Sequence, residues 1–428
     1  MDIGSEPESF THGAHPSLQR LEPQSDPKEE IVKITGATTW IVGNPWKNWL
    51  FVRLDTDQDG LYGIGEGTIN GFAKTTEAAV HEMASRFEGF DPFQIETILQ
   101  RMSRDFYTEG GQIHMNAIAA VEVACWDIIG KATGRPIYDL IGGRYHESLP
   151  TYANGWYAGP RTPESFAERA QLVIDKGYTA MKFDPFGAAW RTMDMPNRHL
   201  SIDIVRAVRE QVGPDVQLMV EGHSRFSVSE AVWIGERIAE FEPTWFEEPT
   251  PHQNIDSTVE VARKIAVPIA TGESYSSIHQ HAELLSRNAV HIIQPEPGNM
   301  GGIWRTRQVC AMADAFYGVV APHNAQGPIS TATCIQISAS CPNLLTQELF
   351  DEFNVGWEQE MVTTHATVID GRLQIPDGPG LGTDLNWSEL KKHPYQASNF
   401  LPLFAPGWER REGERPAKAE PEIRKTGA

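Results

Sequence analysis

The chain has 428 residues, 40% hydrophobic and 22% charged, with 36 Lys+Arg against 57 Asp+Glu and a formal net charge of −21. That length suits a barrel of about 250 residues plus a second domain. So acidic a chain has no bulk attraction for nucleic acid or an anionic membrane, and an anionic substrate must be drawn in by a local charge such as a metal.

Residues 1–28 are polar and rich in Pro, Ser and acid (Glu6-Pro7-Glu8-Ser9, then Glu22-Pro23-Gln24-Ser25-Asp26-Pro27). They cannot bury much surface and read as a flexible N-terminal arm. Ile31–Val42 and Trp49–Thr56 alternate or run apolar and end at turn residues, as strands do; Asp57-Gln58-Asp59-Gly60 is a turn and Leu61–Gly67 a third strand. Helical patterns follow at roughly 75–88, 92–105 and 114–131, the last with Ile118, Val121, Ala124, Cys125, Ile128 and Ile129 on one face. Residues 29–150 therefore read as an α+β domain.

Beyond residue 150 the chain becomes periodic. Short apolar runs end in polar or charged residues and are followed by helical stretches: Leu149–Asn154, Ala180–Asp184, Gln217–His223, Thr244–Glu248, Ile269–Glu273, Val290–Glu296, Val319–His323 and Leu344–Glu348. Glu221 to Glu247 is 26 residues, as is Glu247 to Glu273, about what a strand plus crossover helix requires. Eight such units in succession predict an α/β fold with a closed parallel barrel over 151–373. The longer step from Lys182 to Glu221 enlarges the loop after the second strand. Residues 374–428 are expected to pack back on the first domain, with the charged end from about Gly407 partly disordered. Four cysteines without a CxxC pair read as reduced core residues of a cytoplasmic protein. No unbroken run of 18 apolar residues predicts a membrane span, and the N-terminus has no secretory signal pattern.

Reacting groups in such barrels sit at the C-terminal strand ends, and here nearly every strand ends in an ionisable residue. Glu221, Glu247 and Glu273 fall on three neighbouring strands. Without a cation, carboxylates so close would repel; with Mg²⁺ they form an oxygen-ligand site with positions left for water and substrate.

Trp245-Phe246-Glu247-Glu248-Pro249, Gly272-Glu273-Ser274, Gln294-Pro295-Glu296, Met300-Gly301-Gly302 and Ala321-Pro322-His323 together resemble the mandelate racemase subgroup of the enolase superfamily, over about residues 30–400. The resemblance implies a modified (β/α)7β TIM barrel with an N-terminal α+β capping domain, a homo-oligomer between dimer and octamer, and Glu247 rather than Glu248 as metal ligand. It implies a His323 base held by Glu296, where Asp is usual; the extra methylene is expected to shift the ring. Glu221 likewise stands where Asp is more common. His223, two residues after Glu221, is read as sharing its strand face, opposite His323 across a ring of eight. One histidine can then take the proton at C2 while the other protonates a departing C3 hydroxyl, with Mg²⁺ stabilising the enediolate, as in the galactonate and gluconate dehydratase branch. Lys182-Phe183-Asp184 replaces the Lys-x-Lys of racemases and cycloisomerases. Lys182 is expected to neutralise the substrate carboxylate or tether the metal carboxylates, and Asp184, Glu348 and Trp46 to line the substrate. The expected activity is dehydration of an aldonate or aldarate to a 2-keto-3-deoxy acid. The alternatives are a racemase, epimerase or lactone cycloisomerase on the same scaffold, or metal binding without turnover.

Overall fold

The computed structural model describes residues 31–108, 110–354 and 356–410; the arm expected over 1–28 and the charged end from 411 lie outside them. Strands β1 (Ile34–Gly43), β2 (Asn48–Thr56) and β3 (Tyr62–Glu66) form the expected antiparallel meander. Helices α1 (Ala73–Glu82), α2 (Ala84–Phe87), α3 (Ile95–Ser103), α4 (Gly111–Thr133) and α5 (Ile137–Leu140) follow. Strand β3 lies flush on α4: a Cβ on Gly63 would come within 2.0 Å of the Ala124 carbonyl oxygen, and one on Gly65 equally near that of Ala120. Only glycine permits so close an approach. By length and composition α4 could cross a membrane, which the unbroken-run criterion overlooked, but most of it is buried within the protein.

The barrel is built from β4 (Ser148–Ala153), β5 (Ala180–Phe183), β6 (Gln217–Glu221), β7 (Trp245–Glu247), β8 (Ile269–Thr271), β9 (Ile292–Ile293), β10 (Val319–Val320) and β11 (Gln347–Leu349). They pair in parallel in chain order from β4 to β10, and β11 returns to pair with β4. A parallel bridge between Val320 and Leu344, with Leu345 N donating to Val320 O, closes the ring. The connections carry α6 (Pro163–Asp175), α7 (Met195–Val212), α8 (Val228–Ile238), α9 (Ile255–Lys264), α10 (Ile278–Ser286), the short α11 (Pro297–Met300) with α12 (Ile303–Ala315), and α13 (Pro328–Ala339). Buried Glu122 of α4 ties the two parts together. Its carboxylate accepts from Ile303 N and Trp304 N, both at 2.8 Å, so a side chain of one domain caps α12 of the other.

Inside the ring Tyr152, Ala180, Met219, Trp245, Ala270, Ile292 and Ala321 form a separate apolar cluster. Alternation along a strand makes the residue two positions on face the same way. Ala180, Met219 and Trp245 therefore hand the next inward position to Lys182, Glu221 and Glu247, at the C-terminal mouth.

After β11 the chain forms the hairpin β12 (Val368–Ile369) and β13 (Arg372–Gln374), and β13 pairs antiparallel with β4. Past α14 (Trp387–Leu390) it runs along the meander: Gly43 N donates to His393 O at 2.8 Å and Asn48 Nδ2 to Gln396 O at 2.9 Å. Residues 404–410 then leave the meander for the barrel loops. Within the charged end expected from about Gly407, Trp408 and Glu409 are each only 2% exposed.

Candidate active site

Glu221 and Glu247 end β6 and β7 and are directly paired across them. Glu273 lies two residues past β8, beyond Gly272, whose φ of +127° turns the chain. One carboxylate oxygen from each of the three lies within 4.8 Å of the others. Burial raises the pKa of all three, Glu247 to about 8, with the neighbouring Glu221 adding to the effect there. Glu273 Oε2 is buried and accepts no hydrogen bond. An all-oxygen, three-carboxylate set with an unsatisfied buried oxygen fits a hard divalent cation such as Mg²⁺.

Lys182 sits beneath this cluster, 2% exposed. Its ammonium pairs with Glu247, with Glu221 Oε2 at 3.2 Å and with Glu348 Oε1 at 2.9 Å. Burial opposes its charge, but the carboxylates outweigh that and raise its pKa well above the ordinary lysine range. All three ammonium protons thus face protein carboxylates. Two of those carboxylates, Glu221 and Glu247, are the ones the tether expectation named. Glu248 turns away from the cluster, as its neighbour's position requires, accepting from Thr271 Oγ1 at 2.7 Å and Gly272 N at 2.9 Å.

His323 lies past the short β10, its Nδ1 held by Glu296 Oε2. Glu296 does not end a strand as expected but caps α11, accepting from Gly298 N at 3.3 Å. The other ring nitrogen, Nε2, lies 3.3 Å from Glu273 Oε2 and 3.7 Å from Glu348 Oε2. Burial works against a charged ring, yet Glu273, Glu348 and Glu296 prevail and carry its pKa to about 10. Glu348 accepts from Asn154 Nδ2 at 2.7 Å and Asn324 N at 2.8 Å. Burial pushes its pKa up, but Lys182 and His323 pull it down to about 2. Its oxygens, expected to contact substrate, are here engaged by protein donors.

His223 reaches the site differently from the expected strand alternation. Strand β6 ends at Glu221, and His223 follows in a left-handed turn, φ +48°, with its N–H donating to Glu221 Oε1 at 2.6 Å. Its Nδ1 lies 2.6 Å from Asp184 Oδ2. Asp184 is wholly buried, also accepts from Phe186 N at 2.8 Å, and pairs with the Arg225 guanidinium, itself wholly buried. Burial raises the Asp184 pKa, but Arg225 and His223 hold it below the usual carboxylate range. The Asp184 carboxylate, expected to line the substrate, is turned to His223 and Arg225. Sequence reasoning missed this pairing and Arg225; the only local signal was the polar spacing His223-Ser224-Arg225. Trp46 is 3% exposed and packs edge-on against Phe350, ring centroids 4.8 Å apart, which accounts for its burial without a substrate. Beside it Lys47 Nζ donates to Ala325 O at 2.8 Å and Gln326 Oε1 at 3.1 Å, joining the capping loop to the segment after His323.

Two histidines, each held at Nδ1 by a buried carboxylate, thus follow strands four apart in the ring and flank a carboxylate cluster suited to a cation. Residues 165–389 match the family model described as enolase C-terminal domain-like. Residues 44–142 match the mandelate racemase / muconate lactonizing enzyme N-terminal domain. A D-gluconate dehydratase of Thermoproteus tenax is 33% identical over 85% of this chain and 73% of its own length. A D-gluconate/D-galactonate dehydratase of Picrophilus torridus is 30% identical over 85% and 93%. A crystal structure of a mandelate racemase/muconate lactonizing enzyme from Sulfitobacter sp. superposes with a TM-score of 0.80 at 31% identity, covering 85% of this chain and 96% of that one.

Proposed function

The chain belongs to the mandelate racemase subgroup of the enolase superfamily, and from that membership we propose that it is a Mg²⁺-dependent hydro-lyase acting on an acid sugar. The reaction removes the C2 proton beside the carboxylate of an aldonate or aldarate and expels the C3 hydroxyl as water, leaving a 2-keto-3-deoxy acid. Glu221, Glu247 and Glu273 would hold the metal, which when bound supplies positive charge against the charge that grows on the substrate carboxylate.

His323 is the base. Glu296 fixes its tautomer through Nδ1 and raises the basicity of Nε2, which takes the C2 proton. His223 is the acid: Asp184 holds its Nδ1 at 2.6 Å, leaving Nε2 to protonate the departing hydroxyl. The C2–H bond and the C3–O bond break, the electron pair released at C2 becomes the C2–C3 double bond, and the enol so formed becomes the 2-keto acid. Lys182 keeps the metal carboxylates together from below. The single observation that carries the reading is the pair of carboxylate-held histidines on opposite sides of the cluster. Asp184, standing where a racemase has its second lysine, further favours elimination over two-base isomerisation. Four buried free thiols among the described residues suit the cytoplasmic setting included in this reading.

The test is incubation with Mg²⁺ and a panel of aldonates and aldarates, followed by assay for 2-keto acids. Turnover of at least one acid that is lost in both His323→Asn and His223→Ala is the expected result. A blank across the panel favours the isomerase alternative, and full turnover by His223→Ala overturns the acid role.

A further inference from the structure

The family model for the barrel ends at residue 389, yet the chain continues to a buried tryptophan beside His223. Residues 404–410 lie against the loops after β4, β5 and β6. Gly159 N donates to Glu409 O at 3.1 Å, and the Trp408 indole N–H donates to Gly187 O at 3.0 Å. Phe404 packs on Trp190, ring centroids 5.1 Å apart, with the Arg225 guanidinium 5.0 Å from its ring. Gly407, at φ +75°, makes the turn that delivers Trp408. The Trp408 ring stands perpendicular to His223, centroids 5.9 Å apart and planes at 89°, and perpendicular to Tyr157 at 6.2 Å.

We propose that Trp408 is a positioning residue for His223, so that the C-terminal segment completes the acid side of the active site. Asp184 Oδ2 and Arg225 Nη2, at 2.6 and 3.1 Å, both meet the imidazole at the single atom Nδ1. A ring held at one atom can still swing about it, and His223 sits on a left-handed turn where the backbone gives no strand-like support. Trp408 supplies the missing constraint. Its indole is anchored by Gly187, which also accepts from Arg225 Nη1 at 2.7 Å, so the group that holds Trp408 is tied to the group that holds Asp184. The segment thereby couples the end of the chain to protonation of the leaving group and leaves the His323 side untouched. This inference rests on the assignment of His223 as the acid.

The experiment separates the two half-reactions. In D₂O, return of deuterium to C2 of recovered substrate reports His323, and keto-acid formation reports His223 as well. Trp408→Ala is expected to lower the kcat for dehydration about 10²-fold, as a loss of orientation does. KM should change little, and C2 exchange should persist, so that the ratio of exchange to dehydration rises well above that of the wild type. Trp408→Phe, which retains a ring, is expected to recover part of the dehydration rate, and it carries the same exchange-to-dehydration test if Trp408→Ala does not fold. Unchanged dehydration in both variants, or parallel loss of exchange and dehydration, overturns the proposal. A wild-type enzyme that neither exchanges nor dehydrates any acid sugar would instead defeat the functional assignment beneath it.

Discussion

Nε2 of His323 lies 3.3 Å from Oε2 of Glu273, a buried oxygen that accepts no hydrogen bond. The same carboxylate is asked to serve a histidine and, by its place beside Glu221 and Glu247, a metal. A cation bound there competes with the charged ring for one set of oxygens. Mg²⁺ is therefore expected to raise the thermal midpoint of the wild type, by about 2.7 kcal/mol of stabilisation at a hundredfold excess over Kd. Glu273→Gln should abolish that shift, and His323→Asn, with the competing cation gone, should bind at least as tightly as wild type. Calorimetric titration and thermal melts measure both; a Glu273→Gln protein that still shifts fully would remove Glu273 from the ligand set.

Lys182 meets Glu221, Glu247 and Glu348 where all four side chains are buried. Removing one partner of a buried ion network leaves charge without compensation, at a cost of about 3–5 kcal/mol. Lys182→Met should lose that much stability in denaturant unfolding without metal, and Mg²⁺ should restore more of it than it adds to the wild type. A loss below about 1 kcal/mol would mean that the carboxylates do not depend on Lys182.

The features readable from sequence were those set by local pattern. Parallel strands buried on both faces read as short apolar runs, and an ionisable residue closing each run placed Glu221 and Glu247 at the barrel mouth. Adjacent residues on a strand point apart, which separated Glu247 from Glu248. What could not be read depends on backbone turns and on partners distant in the chain. His223 comes inward through a left-handed turn rather than strand alternation. The contact between Asp184 and His223 could not be read because nothing local announces a partner 39 residues later in the chain. The segment around Trp408 looked disordered because its charged sequence, Glu409-Arg410-Arg411-Glu412, conceals one anchoring indole.

His281 offers a pH test away from the reacting groups. It is fully buried in α10, with Nδ1 3.1 Å from Ser277 O, and burial lowers its pKa to about 4. Above the ordinary value of about 6.5 the ring is neutral whether the chain is folded or not. As pH falls below that, the unfolded chain takes up a proton that the folded protein refuses until about 4, so stability falls between those values. The full loss is about 3 kcal/mol and at pH 5 about 2 kcal/mol. Unfolding free energies of His281→Gln should therefore decline less steeply between pH 7 and 5 than those of wild type. Identical slopes would show that the burial of this ring does not govern its protonation.

In the proposed reaction Glu296 makes His323 a base rather than a ring of undefined tautomer. Its Oε2 holds Nδ1 while Oε1 accepts from Gly298 N at 3.3 Å, so the carboxylate is oriented by the first turn of α11. Glu296→Gln keeps the length and a hydrogen-bonding oxygen but removes the charge that stabilises the imidazolium once the proton arrives. Losing such a partner lowers turnover by about 10²- to 10⁴-fold, and KM should barely move because Glu296 makes no contact that a substrate replaces. Glu296→Asp retains the charge but draws the ring back by one methylene, so a smaller loss is expected. Both variants act on proton removal, so C2 exchange and dehydration should fall together, the opposite of the pattern expected when Trp408 is changed. Steady-state kinetics beside deuterium incorporation at C2 decide it: a Glu296→Gln enzyme within threefold of wild-type turnover, or one that lost dehydration while keeping exchange, would detach Glu296 from the base.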